Sequence, residues 1–187
     1  MTQTQGHPTD TLAALVERAA RAGAGVPPVE SWNPARCGRI DMRIDASGAW
    51  HHEGRPIHRE ALARLFSTVL RGEADGSYVL VTPAEKLDIE VEDLPFAAVE
   101  MAIVGEGEGQ VLTFRTGLGD VVRADAGHPL RLEDGAEGFR PSVLVRGRLR
   151  ARLTRAVALE LAELLVERDG AAGIWSDGAF FAVEAGS

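Results

Sequence analysis

The 187-residue chain is 45% hydrophobic and 26% charged, a composition that excludes a largely disordered chain and suits one or two small globular domains. Its formal net charge of −8 disfavours non-specific coating of nucleic acids, because that binding depends on many contacts between basic side chains and phosphates. The single cysteine, Cys37, excludes an intramolecular disulfide and a thiolate zinc site. The sequence shows no secretory leader and no apolar run long enough for a transmembrane helix, so we expect a cytoplasmic protein without membrane association.

The first hundred residues predict an N-terminal arm followed by a half that contains both strands and a helix. The apolar spacing of Leu12, Leu15, Val16 and Ala19 predicts a helix over 10–24, and the proline-rich stretch that follows predicts a linker. Alternation then predicts strands, and a stripe from Ile57 to Leu70 predicts a helix that ends at a C′ glycine, Gly72. The predicted elements are strands at 39–45 and 49–52, a helix at about 57–71, and strands at 77–82 and 87–92.

The second half continues with strands and one more helix. We expect strands at 97–104, 110–115, 120–124 and 129–132, a long polar loop at 133–141, a strand at 142–149, a helix at about 153–168 and a terminal hairpin near 176–178. Runs of strands interrupted by two helices favour an α+β fold over a βαβ arrangement. Each main helix would pack on an antiparallel sheet.

The two predicted helices open in a similar way, which suggests an internal duplication. Arg59 begins the first helix and Arg155 begins the second. When the two helices are aligned on these arginines, Leu65 aligns with Leu161 and Val69 aligns with Leu165. This pattern predicts two strand–helix–strand copies that face each other, and chance is the alternative. We therefore divide the chain into an arm at 1–29, an N-terminal half at 30–100 and a C-terminal half at 101–187.

Arginines are concentrated before the second helix. In a single strand, Arg146, Arg148, Arg150 and Arg152 would share one face, and that strand would run directly into a helix N-terminus beginning at Arg155. Guanidinium groups beside a helix N-terminus can bind a phosphate or carboxylate. The alternative is a solvated face that pairs with the excess of acidic residues.

The remaining motifs in the sequence indicate no catalytic or metal-binding site. The chain lacks a nucleophile elbow and histidine spacing for a metal, so we assign no catalytic residue, no metal ligand and no cofactor. The GEGEGQ segment at 105–110 predicts a hairpin tip. The only lysine, Lys86, either pairs with a nearby carboxylate or lies beside a ligand.

Four blocks of sequence, taken together, resemble the bacterial domain-of-unknown-function family 1285. The blocks are CGRIDMRIDASGAWHHEGRPIHREALARLFSTVL, YVLVTPAEKLDIEVEDLPF, VRGRLRARLTR and GIWSDGAFF, and the resemblance covers about residues 37–183. It implies a duplicated α+β core whose C-terminal half is superficially similar to a pleckstrin-homology fold. It also implies a ligand site at the interface of the halves, taking a nucleotide-like molecule, and a part in signal transduction.

Residues from several family blocks are our candidates for that site. Arg59, Lys86, Arg146 and Arg155 would contact the anionic group, while Phe96 or Trp175 would stack on a base. The remaining candidates from the family pattern are Cys37, Gly38, Asp41, Thr82, Glu85, Asp93, Pro95 and Ser176.

Three functions compete on these grounds. The first is a ligand-binding regulatory protein for a nucleotide-like or other anionic small molecule. The second is a protein-interaction module that needs no ligand, and its partner surface would include the apolar face of the N-terminal arm. The third is a hydrolase of a phosphorylated small molecule, which would turn over its substrate with a metal and depend on Asp41. Fold alone does not choose among them.

Overall fold

The structure, a computed structural model, describes residues 16–17, 19–20 and 26–185. The chain divides into two compact units, Met1–Glu92 and Asp93–Ser187. Residues 16–17 and 19–20 are helical and Ala19 is buried, whereas the rest of the helix predicted over 10–24, with Leu12 and Leu15, lies outside the described residues. No helix in the described part of the chain is long and apolar enough to cross a membrane.

The N-terminal unit contains one six-stranded sheet. Its elements are a 3-10 helix at Val29–Ser31, then β1 (Cys37–Ile44), β2 (Trp50–His52), β3 (Arg55–Pro56), α1 (Glu60–Thr68), β4 (Leu70–Gly72), β5 (Tyr78–Val81) and β6 (Lys86–Val91). The strand order is β3-β2-β1-β6-β5-β4. The first three strands progress outwards, α1 carries the chain to the opposite edge, and the last three progress inwards. As a result β6 meets β1 in parallel, so the sheet is mixed and the antiparallel prediction is corrected.

The first main helix is shorter than predicted. It ends at Thr68, and Leu70 and Gly72 belong to β4, where they pair with Leu80 and Tyr78. The apolar stripe is shared between two elements: Phe66 stacks on Trp50 from the helix at a ring separation of 5.9 Å, and Leu70 is buried from the strand. Pairing with β5 satisfies the backbone groups of 70–72, so no glycine cap is needed there.

The C-terminal unit contains a larger mixed sheet. Its elements are β7 (Phe96–Val104), β8 (Val111–Thr116), β9 (Val121–Arg123), β10 (Leu130–Gly135), β11 (Gly138–Phe139), β12 (Ser142–Arg146), β13 (Leu149–Leu153), α2 (Arg155–Ala162), β14 (Val166–Arg168), β15 (Ala171–Ser176) and β16 (Ala179–Ala185), with a 3-10 helix at Gly107–Gly109. The order is β14-β15-β16-β10-β12-β13-β7-β8-β9, and β11 pairs with β10. Strand β10 runs parallel to β16 and β13 runs parallel to β7, which again corrects the antiparallel prediction.

The segment before α2 is a hairpin rather than the predicted single strand. Gly147, with φ 51°, lies in the turn between β12 and β13 and pairs Arg146 with Leu149. Directly paired residues share a face of the sheet, so Arg146 lies on the same face as Leu149. Arg150 and Arg152 lie on the opposite face. The predicted polar loop at 133–141 is also a hairpin, formed by β10 and β11.

The core of each unit is apolar. The largest fully buried side chains are Met42, Ile44, Phe66, Leu70 and Leu80 in the first unit, and Phe96, Leu112, Phe114, Leu132, Leu161 and Ile174 in the second. The second helix ends at Ala162, which leaves Leu165 partly exposed, whereas Val69 is fully buried. The predicted coincidence of the two helical stripes therefore fails at that position. The duplication and the pleckstrin-like fold stay predictions.

Candidate functional site

The residues predicted to form the site are distributed over both units. Asp41, Arg59, Thr82, Glu85 and Lys86 belong to the N-terminal unit. Asp93, Phe96, Arg146, Arg155, Trp175 and Ser176 belong to the C-terminal unit. Each group is described within its own unit.

Thr82 and Glu85 form the buried turn that joins β5 to β6. The Thr82 backbone N–H donates to the Glu85 carbonyl at 2.9 Å, and the Thr82 hydroxyl accepts from the Glu85 N–H at 3.2 Å. The Glu85 carboxylate forms an ion pair with Arg36 at 3.6 Å, and the Lys86 N–H donates to the Arg36 carbonyl at 2.9 Å. These contacts hold the turn against the start of β1, which is a structural role.

Arg59 and Asp41 are exposed. Arg59 occupies the N-cap position of α1 with extended backbone angles, and its carbonyl accepts from the Leu62 and Ala63 N–H groups. The Asp41 carbonyl accepts from the Glu53 N–H at 3.0 Å. The structure therefore places these two polar side chains on the surface of the N-terminal unit.

Asp45, which the sequence did not single out, anchors the turn between β1 and β2. Its carboxylate accepts hydrogen bonds from the Ser47 hydroxyl at 2.6 Å, the Ala49 N–H at 3.0 Å and the His51 ring at 2.8 Å. Burial raises the pKa of Asp45, but the hydrogen bonds from Ser47, His51 and Ala49 outweigh it and hold the pKa well below the ordinary value of 3.8. The arrangement fixes a turn.

Phe96 is buried, which argues against its predicted stacking on a base, whereas ligand contacts by Arg146 and Ser176 stay predictions. Phe96 is 2% exposed, so it offers no face to a base, and the Arg146 guanidinium covers its ring at 4.9 Å. Arg146 also donates to Asp120 at 2.6 Å. The buried Ser176 hydroxyl donates to the Ala124 carbonyl at 2.6 Å and accepts from the Leu112 N–H at 2.9 Å.

A cavity of about 540 Å³ lies between the β10–β11 hairpin and α2, and we call it the arginine cleft. Its polar lining includes three arginines, and its apolar lining comes from Phe139 and one side of the helix. The lining residues are Glu137, Gly138, Phe139, Arg140, Arg152, Leu153, Arg155, Ala158, Leu159 and Ala162. Leu159 is 62% exposed although it is a large apolar side chain. The cleft therefore combines cationic and apolar surfaces.

Two of the three arginines are fixed by Asp93. Arg152 makes a two-pronged contact with the Asp93 carboxylate, with Nε and Nη2 each 2.9 Å from an oxygen, and Arg140 approaches the same carboxylate at 3.0 Å. Arg152 also donates to the Arg140 carbonyl at 2.7 Å. The hydrogen bonds from Arg152 lower the pKa of Asp93, and the same contact raises the pKa of Arg152. Asp93 thus holds one wall of the arginine cleft.

Arg155 is the third arginine and differs from the other two. It is exposed, it is the first residue of α2, and no described residue forms an ion pair with it. A cation in the first turn of a helix is unfavourable, because the backbone N–H groups there already carry partial positive charge. The Thr154 side chain makes no capping hydrogen bond to the described residues. This end of the cleft therefore carries uncompensated positive charge.

Arg150 belongs to the same stretch of sequence but has another role. Its guanidinium donates to the Pro129 carbonyl at 2.9 Å and to the Ser142 hydroxyl at 3.0 Å. Burial lowers the pKa of Arg150 to about 10. Arg150 links β13 to β12 and to the residue that precedes β10, and it does not line the cleft.

Sequence reasoning identified Arg155 and Asp93 but missed Arg140 and Arg152 as parts of one wall. Arg140 lies in the segment predicted to be a polar loop, and Arg152 was predicted only as one member of a solvated or anion-binding face. The contact between Asp93 and Arg152 joins residues far apart in sequence. The signal available was Asp93 itself, an acidic residue three positions before the buried start of β7. Within the described residues no group of three histidine, cysteine, aspartate or glutamate side chains could hold a metal ion.

Trp175, the remaining predicted residue, lies partly exposed on β15. Its ring packs against Phe180 at 5.2 Å between centroids, and the Arg168 guanidinium lies 4.7 Å from the Trp175 ring. Trp175 lines a different cavity from the arginine cleft. The structure therefore places Trp175 and Arg155 at different cavities, and their contacts with a ligand stay predictions.

Comparison with known proteins gives matches to one family. The model of the N-terminal domain of DUF1285, a domain of unknown function, matches residues 27–94, and the model of the DUF1285 C-terminal domain matches residues 95–183. A DUF1285 family protein from Silicibacter pomeroyi DSS-3 is 42% identical with a TM-score of 0.83, over 89% of this chain and 93% of that chain. A DUF1285 family protein from Shewanella baltica OS155 is similar in fold, with 23% identity and a TM-score of 0.52 over 65% of this chain and 90% of that chain. No curated protein matches the chain.

Proposed function

The chain belongs to the DUF1285 family, and we propose that it is a regulatory protein whose C-terminal unit binds a small organic anion in the arginine cleft. The ligand carries a phosphate or carboxylate on an apolar or flat body, a class that includes nucleotide-like molecules. The single observation that carries the proposal is Arg155, a guanidinium that forms no ion pair with the described residues and lines a cavity with apolar walls.

The charges of the arginines that line the cleft favour a ligand with a compact anionic group. Asp93, Glu133 and Glu137 form ion pairs with Arg140 and Arg152, so the charges of these two arginines are already compensated. Arg155 and the N-terminal N–H groups of α2 remain for the ligand. A guanidinium beside unpaired backbone donors suits a phosphate or carboxylate oxygen pair.

The apolar lining supports an organic body rather than a bare ion. Phe139 on the hairpin and Leu159 on the helix both line the cleft, and Leu159 is largely exposed. A base, an aromatic ring or a short acyl chain would cover this surface and gain the free energy of apolar burial. Ligand binding of this kind, with no catalytic residue assigned, suits a regulatory role in cytoplasmic signal transduction.

The test is binding of four defined probes to the full chain, measured by calorimetry and thermal shift. AMP and phenyl phosphate carry both an anion and a flat body, adenosine lacks the anion, and inorganic phosphate lacks the body. We expect AMP or phenyl phosphate to bind more tightly than either incomplete probe. The Arg155→Ala variant should weaken this binding about tenfold or more, since charge-assisted hydrogen bonds contribute about 1.5–3 kcal/mol.

The matched control is Arg148→Ala. Arg148 is exposed in the β12–β13 turn and does not line the cleft, and its loss changes the net charge by the same amount. If Arg148→Ala weakens binding as much as Arg155→Ala, the effect is one of overall charge and the site assignment is wrong. If none of the four probes shifts the melting temperature or gives a binding heat, the proposed function fails.

A further inference from the structure

A second cavity, of about 400 Å³, lies at the C-terminal end of α2, and we call it the Trp175 cleft. It is bounded by the connection between β7 and β8, the residues that follow α2, and strands β14 and β15. The lining residues are Ile103, Gly105, Glu106, Gly107, Gln110, Glu163, Leu164, Val166 and Trp175. Ile103 and Val166 are 45% and 44% exposed, so the apolar part of this surface is open to a partner.

The charge of the Trp175 cleft is opposite to that of the arginine cleft. Glu106 and Glu163 both line it, and none of the described lining residues is basic. Glu163 is the C-cap of α2, where the backbone carbonyls already concentrate partial negative charge. An acidic side chain at that position is unfavourable for the helix and favourable for a bound cation.

The aromatic side of this region already holds a guanidinium from its own chain. The Arg168 guanidinium lies 4.7 Å from the Trp175 ring and 5.6 Å from the Phe180 ring. A cation over an aromatic face gains about 0.5–2 kcal/mol, depending on its exposure to water. The indole of Trp175 therefore already contacts one cation, and Glu106 and Glu163 supply the charge that would attract a second one into the cleft.

The cleft also adjoins a strand edge. Strand β14 pairs with β15, and no other strand among residues 26–185 pairs with it. Val166 belongs both to β14 and to the lining of the cleft. An extended peptide could hydrogen-bond to this edge while one of its side chains enters the cleft.

We propose that the Trp175 cleft binds an extended segment of a partner protein in which a lysine or arginine is flanked by apolar residues. The cation would lie between Glu106, Glu163 and the Trp175 ring, and the flanking side chains would cover Ile103, Leu164 and Val166. The acidic lining residues favour a basic side chain in the ligand. The apolar lining residues and the unpaired edge of β14 favour a peptide over a small amine. This inference does not depend on the anion proposal, because the two cavities share no lining residue.

The experiment measures binding of defined peptides to the full chain by calorimetry. The probe is a capped five-residue peptide in which leucines alternate with arginines. One comparison peptide carries glutamate in place of arginine, a second carries glycine in place of leucine, and arginine amide is the small-cation probe. We expect saturable binding of the leucine–arginine peptide, with each of the three other probes at least about tenfold weaker.

Charge-reversal variants locate the site. Glu163→Arg should weaken the leucine–arginine peptide about tenfold or more, because it replaces an attraction by a repulsion. Glu160→Arg is the matched control, because Glu160 is exposed on the same helix, changes the charge equally and does not line the cleft. Glu106→Arg is a second variant on a separate loop and should act like Glu163→Arg.

Three results would overturn the proposal. The first is a failure of the leucine–arginine peptide to bind the wild-type chain, and the second is an equal loss of affinity in Glu160→Arg and Glu163→Arg. The third is arginine amide binding as tightly as the peptide, which would assign the cleft to a small amine.

Discussion

The two clefts of the C-terminal unit adjoin the same helix and carry opposite charge. The arginine cleft runs along α2 from Arg155, its first residue, to Ala162, its last, and the Trp175 cleft includes Glu163, its C-cap. Both have exposed apolar side chains, Leu159 in the first and Ile103 in the second. They differ in how their charges are held: Asp93, Glu133 and Glu137 pair with two arginines of the first, whereas the acidic residues of the second lie on exposed segments.

The comparison shows that the charges at both ends of α2 oppose the stability of the helix. Acidic residues are favourable at a helix N-terminus and basic residues at its C-terminus, yet the first turn contains no acidic residue and the last turn no basic one. Instead, the basic Arg155 lies at the N-terminus of α2 and the acidic Glu163 lies at its C-terminus. Charges in this arrangement do not stabilise the helix, which fits the proposal that each of them contacts a ligand.

The largest expected effect is on the wall of the arginine cleft. Asp93→Ala should destabilise the protein by about 3 kcal/mol, because it leaves the half-buried Arg152 without the carboxylate that satisfies it. Urea unfolding followed by circular dichroism measures the change. Asp134→Ala is the control, since Asp134 is exposed on β10, and its effect should stay within about 0.5 kcal/mol. Equal effects would show that Asp93 is a surface residue in solution.

The same carboxylate predicts a pH dependence. Hydrogen bonds from Arg152 lower the pKa of Asp93 below its ordinary value of 3.8, so the unfolded state binds the proton more tightly than the folded state. The stabilisation is therefore complete above about pH 5 and is lost as the pH falls through the folded-state pKa. Unfolding free energies of wild type and Asp93→Asn, measured from pH 6 to pH 3, should converge as the pH falls. Parallel curves would contradict the assignment.

An intermediate effect is expected at the aromatic side of the Trp175 cleft. A Cβ on Gly173 would lie 2.4 Å from the Phe180 ring and 2.5 Å from the Phe181 carbonyl, so Gly173→Ala must displace strand β16 or the ring. We expect a destabilisation of about 1–3 kcal/mol, measured by thermal unfolding. Gly109→Ala is the control, because a Cβ there meets nothing within 4 Å. A stable Gly173→Ala variant that keeps its affinity for the leucine–arginine peptide would contradict this packing.

The smallest expected effect tests the helix ends directly. Without ligand, Arg155→Glu and Glu163→Lys should each stabilise the protein by about 0.3–1 kcal/mol, because each places the favourable charge at its end of the dipole. Chemical unfolding at low salt measures both variants. At the same time, Arg155→Glu should lose its affinity for AMP and Glu163→Lys should lose its affinity for the leucine–arginine peptide. Destabilisation in both variants would show that these side chains support the fold.

Much of the strand pattern was predictable because one face of most strands is buried and the other is wet. The strands from β5 to β9 lie close to their predicted positions, and the alternation of Leu87, Ile89 and Val91 marked β6 correctly. The parallel pairing of β1 with β6 was not predictable, because it depends on α1 crossing the sheet. The hairpin at Gly147 was missed because arginines alternate with apolar residues on both sides of the turn, which imitates one continuous strand.

The candidate site was predicted only in part, for a related reason. Arg155 was identifiable because a cation at a helix start is unusual, and that signal is local in sequence. Phe96 and Ser176 were predicted as ligand contacts because sequence does not reveal that Arg146 covers the first and that the second hydrogen-bonds to Leu112 and Ala124. The wall formed by Asp93, Arg140 and Arg152 depends on contacts between distant segments, which no local pattern encodes.

The most direct test of two opposite sites on one helix is a single crossed binding experiment. Wild type, Arg155→Ala and Glu163→Arg are each titrated with AMP and with the leucine–arginine peptide at the same pH and ionic strength. The structure predicts that Arg155→Ala weakens AMP about tenfold and leaves the peptide unchanged, and that Glu163→Arg does the reverse. If both variants weaken the same ligand, or if neither changes either affinity, the assignment of one cleft to anions and the other to basic peptides is contradicted.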